Sequence, residues 1–98
     1  MIEGEKKQKE FCFVFEEEEE TSLSYEVSTD GKERLTLCEH EGQKFFYGNK
    51  EGLLVLAKIC VKLALGNYPN GHHLHLNENF DEESGEIMAI GIEPDRND

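Results

Sequence analysis

The segment 71–77, GHHLHLN, holds the residues of this chain that are best suited to chemistry. On a β-strand, His73 and His75 lie on one face, while the two leucines of the segment lie on the other. Two imidazoles at this spacing can reach one metal ion, and many zinc sites on strands begin in this way. They can also pair with carboxylates across strands, bond to backbone, or contact a partner. The sequence favours pairing within the protein and leaves partner contact and metal binding open as weaker alternatives.

No other catalytic constellation is readable in the sequence. It has no Ser-His-Asp arrangement with a nucleophile elbow, no glycine-rich phosphate loop and no CxxC pair. The run 16–20 is five consecutive carboxylates, without the turned, glycine-containing spacing that a calcium loop needs. We therefore expect no enzymatic activity and no cofactor. The three cysteines lie among apolar neighbours, so we expect small buried side chains and no disulfide at Cys12, Cys38 and Cys60.

The net charge is the most informative bulk property. The 98 residues include 22 acids and 10 bases, which gives −12. Residues 1–20 hold eight acids and three bases (−5), residues 77–98 hold eight acids and one base (−7), and the middle balances. Such a surface repels nucleic acid and anionic membranes but steers a basic protein partner into fast encounter. The acidity can also serve solubility alone, and on charge alone that interpretation is favoured.

The length predicts one domain over residues 1–98, with loose ends at 1–8 and 94–98. No apolar run is long enough to span a bilayer, and the N-terminus lacks the apolar segment of a signal peptide. We therefore expect a cytoplasmic protein without a membrane partner.

The element expected to organise the fold is a helix within the segment 48–66, GNKEGLLVLAKICVKLALG. Asn49 is a suitable N-cap, and Gly66 suits a left-handed stop. Lys58 and Lys62 mark a narrow solvent stripe, and the rest of the circumference is almost wholly apolar. Gly52 near the helix start costs about 1 kcal/mol against alanine, which indicates close packing of the helix against a strand. The sequence thus predicts one long apolar helix, covered on more than one side.

Six strands are predicted around this helix, at 9–16, 22–28, 34–39, 44–47, 72–78 and 86–93. Turn signals separate them at Asp30-Gly31 and Glu41-Gly42. The order β-β-β-β-α-β-β predicts an α+β fold, in which the helix packs on one face of a mostly antiparallel sheet of about five to six strands. One helix covers only part of so wide a sheet, so the sheet must curl around it or meet another molecule.

Two matched stretches of this sequence resemble a known family. GNKEGLL with the following LAK and LA, joined at the right distance to GxHLHL at 71–76, is similar to a bacterial immunity-protein family of polymorphic-toxin systems, the immunity protein 32-like family. The resemblance covers roughly residues 46–93, and Asn77 stands where the family tends to have aspartate. It implies a small cytoplasmic protein that neutralises a cognate toxin by binding it.

Three functional hypotheses follow. The first is a toxin-neutralising binding protein, whose acidic ends and exposed sheet face cover a basic toxin surface. The residues expected to contact the toxin are His73, His75, Glu16, Glu17, Glu18, Asp81, Glu82 and Glu83. The second is a metal-binding protein that uses His73 and His75. The third is a homodimeric structural domain without a toxin partner.

Overall fold

The described part of the chain folds as α+β, with one α-helix and two antiparallel sheets of two strands each. The computed structural model describes residues 6–17 and 23–95. In chain order the elements are β1 (Leu35–His40), β2 (Gln43–Gly48), α1 (Lys50–Leu65), β3 (His73–Asn77), a 3₁₀ turn (Glu78–Phe80) and β4 (Glu86–Gly91). β1 pairs with β2, and β3 pairs with β4. The predicted α+β class is confirmed.

The prediction of one sheet with five to six strands is wrong. The described residues of the first two predicted strands, 9–16 and 23–28, join no sheet. Leu23 and Tyr25 nevertheless pack, half-buried, against the core. Alternation of apolar and polar residues indicates which side chains are buried, and an extended segment can bury them without pairing to another strand. The carboxylates 18–20, the residues 21–22 and the ends 1–5 and 96–98 lie outside the described ranges.

Asn49 caps α1, as predicted, and also fastens the segment that precedes β1. Its side-chain oxygen accepts from the backbone N–H of Gly52 at 2.8 Å and of Arg34 at 2.9 Å. Its amide nitrogen donates to the carbonyl of Lys32 at 2.7 Å. One side chain therefore satisfies an unpaired amide of the first helical turn and fixes a neighbouring segment.

The end of α1 differs from the expectation. Gly66 has φ of −78°, which is not left-handed, and its N–H donates to the carbonyl of Lys62 at 2.8 Å. A Cβ atom at Gly66 would lie 2.6 Å from that same carbonyl and 2.6 Å from the ring of Tyr68. Glycine is therefore needed here for space, because the chain and the Tyr68 ring pass close to the helix end.

The helix is buried along one stripe only, so the prediction of a long apolar helix covered on more than one side is wrong. Its buried residues are Gly52, Val55, Ile59 and Leu63, which follow helical spacing. Leu53, Leu54 and Leu65 are 47%, 50% and 69% exposed. Two-stranded sheets are too narrow to enclose a helix, and much of its apolar surface therefore faces outward.

The lysine stripe expected to face solvent is partly covered by the N-terminal segment. The ammonium of Lys58 lies 5.6 Å from the ring centre of Phe13, and that of Lys62 lies 6.0 Å from the ring of Phe15. Lys62 also donates to the carbonyl of Ser24 at 2.8 Å. Cation–π contacts and one hydrogen bond therefore hold two extended segments on this side of the helix.

The close packing predicted at the helix start is confirmed. Gly52 lies against the backbone of Arg34, and a Cβ atom at Gly52 would lie 2.1 Å from the Arg34 carbonyl oxygen. This contact brings the start of α1 next to the start of β1. The buried core then extends from β1 across the helix to β3 and the 3₁₀ turn through Leu35, Val55, Ile59, Leu63, Leu76 and Phe80.

Two further features concern the thiols and the membrane. Cys12, Cys38 and Cys60 are free and exposed, so the prediction that they are buried is wrong, although they form no disulfide. Apolar sequence neighbours do not ensure burial: Ile59 lies on the buried stripe of the helix, whereas the adjacent Cys60 lies off that stripe. Within the described ranges, none of the helices has the length and apolar character needed to span a membrane.

Glu33 is a buried carboxylate that closes the turn at residues 28–31. It accepts from the N–H of Ser28 at 2.9 Å and from its hydroxyl at 2.8 Å. These hydrogen bonds lower the pKa of Glu33 from its ordinary 4.5. The carboxylate therefore contributes stability above the unfolded pKa, and this contribution is lost as pH falls through the lower folded-state pKa.

We accordingly expect Glu33→Gln to reduce the free energy of unfolding at pH 7, and the difference from the parent protein to shrink below about pH 4.5. Urea denaturation of both proteins between pH 7 and pH 3 measures this difference in the free energy of unfolding. Glu41→Gln, at an exposed turn residue, is the matched control. A difference that stays constant or grows toward low pH would contradict the conclusion that the ionised Glu33 carboxylate stabilises the turn.

Candidate functional site

The β3–β4 hairpin presents the two predicted histidines on its exposed face. His73 and His75 are exposed. Leu76, on the opposite face of β3, is fully buried in the core. His73 lies opposite Gly91 and His75 opposite Ala89. The two imidazole rings lie edge to face, with their centres 4.8 Å apart. The predicted division of this strand into a histidine face and a leucine face is therefore confirmed.

Each of these imidazoles has one hydrogen-bond partner on its Nδ1 atom. His75 Nδ1 lies 2.7 Å from a carboxylate oxygen of Glu86, which begins β4. His73 Nδ1 lies 3.0 Å from the carbonyl oxygen of Gly71. His75 thus pairs with a carboxylate on the neighbouring strand, and His73 bonds to backbone, as the sequence predicted. A carbonyl oxygen can only accept, so Nδ1 of His73 carries the proton.

No group of three or more His, Cys, Asp or Glu side chains suited to a metal ion occurs within residues 6–17 and 23–95. The exposed face of the hairpin offers two possible ligands, the imidazoles of His73 and His75. A closed structural zinc site, with four protein ligands, is not formed by these residues.

The acidic residues 81–83 lie at the closed end of the same hairpin. Asp81 is committed to the loop itself, because its carboxylate accepts from the N–H of Glu83 at 3.0 Å and from the hydroxyl of Ser84 at 3.2 Å. Glu82 and Glu83 are exposed. Burial raises the pKa of Tyr25, and the charge of Glu82 raises it further. The charge of the acidic loop therefore acts on Tyr25.

The N-terminal carboxylates are placed on a different element. Glu16 and Glu17 are exposed and follow Phe15, whose ring lies under Lys62 on the helix. Glu18 lies outside the described residues. The structure thus brings His73, His75 and the acidic loop together on one hairpin and leaves Glu16 and Glu17 on the segment that crosses the helix.

The closed end of the hairpin is fastened to β1 by residues that the sequence did not single out. Asn79 accepts from the backbone N–H of Leu35 at 2.9 Å, and Glu78 accepts from the hydroxyl of Thr36 at 2.9 Å. Phe80 is buried, and its ring centre lies 5.7 Å from that of Tyr25. Asparagine in a loop is a signal for left-handed backbone, which Asn79 adopts with φ of 55°. Its long-range bond to Leu35 has no signal in the sequence.

Residues 45–91, which include this hairpin and the helix, match the family model described as immunity protein 32. This part of the chain, a little under half of its length, is similar to the immunity protein 32 family. This confirms the resemblance drawn from the GNKEGLL helix and the HLHL strand. Neither a curated protein nor a solved structure matches the chain.

The immunity protein 32 match separates the predicted contact residues into two groups. His73, His75 and the acidic loop 81–83 fall within the matched region, while the carboxylates 16–18 fall outside it. The match covers β2 from residue 45 onward, together with α1, β3, the 3₁₀ turn and β4. The family motif GNKEG also has a structural basis, because Asn49 caps the helix and Gly52 allows the contact with Arg34.

A stacked pair of aromatic rings, one half-buried and one exposed, lies at the start of the immunity protein 32 region and was not among the predicted site residues. Phe45 and Tyr47 stack with ring centres 5.9 Å apart, and Tyr47 is 54% exposed. They lie opposite Cys38 and Thr36 on the face of the β1–β2 hairpin that is turned away from Phe46, which packs against the core. The alternation in QKFFYG contained this information, because residues 45 and 47 must share one face.

Proposed function

We propose that the protein is an immunity protein that neutralises a cognate toxin by binding it directly in the cytoplasm, without a chemical reaction of its own. The match of residues 45–91 to the immunity protein 32 family model supports this proposal. The net charge of −12 favours a toxin with a basic surface, because opposite charges accelerate encounter and help to select the partner.

We place the centre of the toxin-binding surface on the β3–β4 hairpin. The observation that carries this placement is that one hairpin within the family region presents both the histidine face and the acidic loop. Its closed end is held by Asn79, Glu78 and Phe80, so its loop is ordered before the partner arrives. A surface that is already ordered loses less conformational entropy on binding.

Among the loop carboxylates, Glu82 and Glu83 are the best probes of this surface. Asp81 shapes the loop through its own hydrogen bonds, whereas the other two are exposed and have no ion-pair partner among the described residues. Their charges are therefore available to a partner, and changing them leaves the loop bonds in place. Their interaction with a basic toxin should weaken as salt screens it.

We expect the double variant Glu82→Lys/Glu83→Lys to slow association with the cognate toxin, sought first in the product of the adjacent gene, by about tenfold or more at low salt. Surface plasmon resonance over a salt series measures the rate, and co-expression with the toxin measures rescue of growth. Glu10→Lys/Glu41→Lys makes the same change of charge at two exposed residues away from the hairpin.

Equal loss of rate in both double variants would show that net charge alone matters and would contradict the placement on the hairpin. Failure of the unaltered protein to bind or to neutralise that toxin would contradict the proposed function itself. The homodimeric alternative is tested by light scattering of the purified protein. A dimer that persists in the toxin-free state, combined with no binding of toxin, would support a structural role instead.

A further inference from the structure

The two exposed imidazoles of the β3–β4 hairpin share a feature beyond their spacing. Each ring uses its Nδ1 atom toward an oxygen of the protein, at 3.0 Å for His73 and at 2.7 Å for His75. In the neutral ring, a proton on Nδ1 leaves the lone pair on Nε2, which is the atom that then binds metals. Both rings are thus held in the tautomer that presents Nε2 as a ligand.

We propose that His73 and His75 form a two-ligand site for a divalent metal ion of the zinc class. Zn–N distances of about 2.0–2.1 Å and a tetrahedral angle place the centres of two ligating imidazoles about 5 Å apart. The observed separation of 4.8 Å agrees with this value. The separation of the rings is therefore compatible with both of them binding one ion.

The oxygen partners of the two rings are those that metal-binding histidines commonly have. A ligating histidine usually donates its second ring N–H to a carboxylate or a backbone carbonyl, which fixes the ring and raises its basicity. The carboxylate of Glu86 accepts from His75, and the carbonyl of Gly71 accepts from His73.

The site is open, since the described residues bring no third His, Cys, Asp or Glu ligand to it. Water fills the remaining positions of the ion. The site therefore binds metal reversibly and more weakly than a structural zinc site with four protein ligands. This proposal does not depend on the proposed toxin, because it concerns the purified protein and Zn²⁺ alone.

The experiment is a titration of the full chain, purified without an affinity tag, with Zn²⁺ in competition with a chromogenic chelator at pH 7.5. The three exposed thiols are zinc ligands in their own right, so they are first alkylated. We expect one ion per chain, and His73→Ala/His75→Ala should weaken binding at least tenfold. Glu86→Gln should weaken it about tenfold, because the ligands remain but the carboxylate that orients His75 is lost.

His40→Ala is the matched control, because His40 is also exposed and beside a carboxylate but lies on β1, in the other sheet. It should bind zinc like the unaltered protein, and circular dichroism should show that all variants remain folded. NMR of the imidazole rings should place the zinc-induced shifts on His73 and His75. Equal affinities of the unaltered protein and the double variant, or no binding at millimolar Zn²⁺, would overturn the proposal.

Discussion

Replacing Gly52 with alanine is expected to destabilise the protein by about 3 kcal/mol, the upper end of the range for overpacked sites. The added Cβ atom would lie 2.1 Å from the carbonyl oxygen of Arg34 and 2.9 Å from its carbonyl carbon. These are backbone atoms, which cannot rotate away as a side chain can. The helix and the segment before β1 would have to separate, and the bond from Asn49 to the N–H of Arg34 would be strained with them.

Intrinsic helix propensity predicts the opposite sign for this substitution, with alanine favoured by about 1 kcal/mol. The steric overlap is larger, so we expect it to decide the outcome. Urea denaturation followed by circular dichroism measures the free energy of unfolding. Gly85→Ala is the matched control, because a Cβ atom there meets nothing within 4 Å. A Gly52→Ala protein as stable as its parent would contradict the close contact between the helix and the Arg34 backbone.

Substitution of Asn79 with alanine is expected to cost about 2–5 kcal/mol, from two separate terms. Alanine in left-handed backbone costs about 1–2 kcal/mol, and φ at this residue is 55°. The substitution also removes the acceptor for the N–H of Leu35, a fully buried residue, and an unpaired buried group costs about 1–3 kcal/mol. The 3₁₀ turn would lose its direct bond to the backbone of β1.

Asn79→Gly separates these two terms. Glycine adopts left-handed backbone without strain but cannot accept the hydrogen bond, so this variant should be more stable than Asn79→Ala by about 1 kcal/mol. Both should remain less stable than the parent protein in urea denaturation. Amide hydrogen exchange should show faster exchange at Leu35 in both variants. Unchanged exchange at Leu35 would mean that the Asn79 side chain does not hold this amide.

The candidate site was predictable in part because its residues are close in sequence. His73 and His75 share a face by strand periodicity alone, and the acidic loop 81–83 follows the same strand. The partner of His75, by contrast, is Glu86 on β4, and its identity depends on the register, which includes an irregularity between Leu76 and Asn77. That Tyr47 is exposed and its stacking partner Phe45 is half-buried was decided by which side of the β1–β2 hairpin the core covers.

The sequence by itself determined the local features of this protein: the family motif, the Asn49 cap, the close packing at Gly52, the four strands that form and the alternation on β3. These depend on side chains within a few residues of one another or on the periodicity of one element. Only the tertiary structure decided that the strands form two separate hairpins and that α1 buries one stripe. It also decided that Asn79 joins the hairpins through Leu35. The reason is that burial and strand pairing depend on which distant surfaces meet, and an apolar pattern looks the same whether or not a partner covers it.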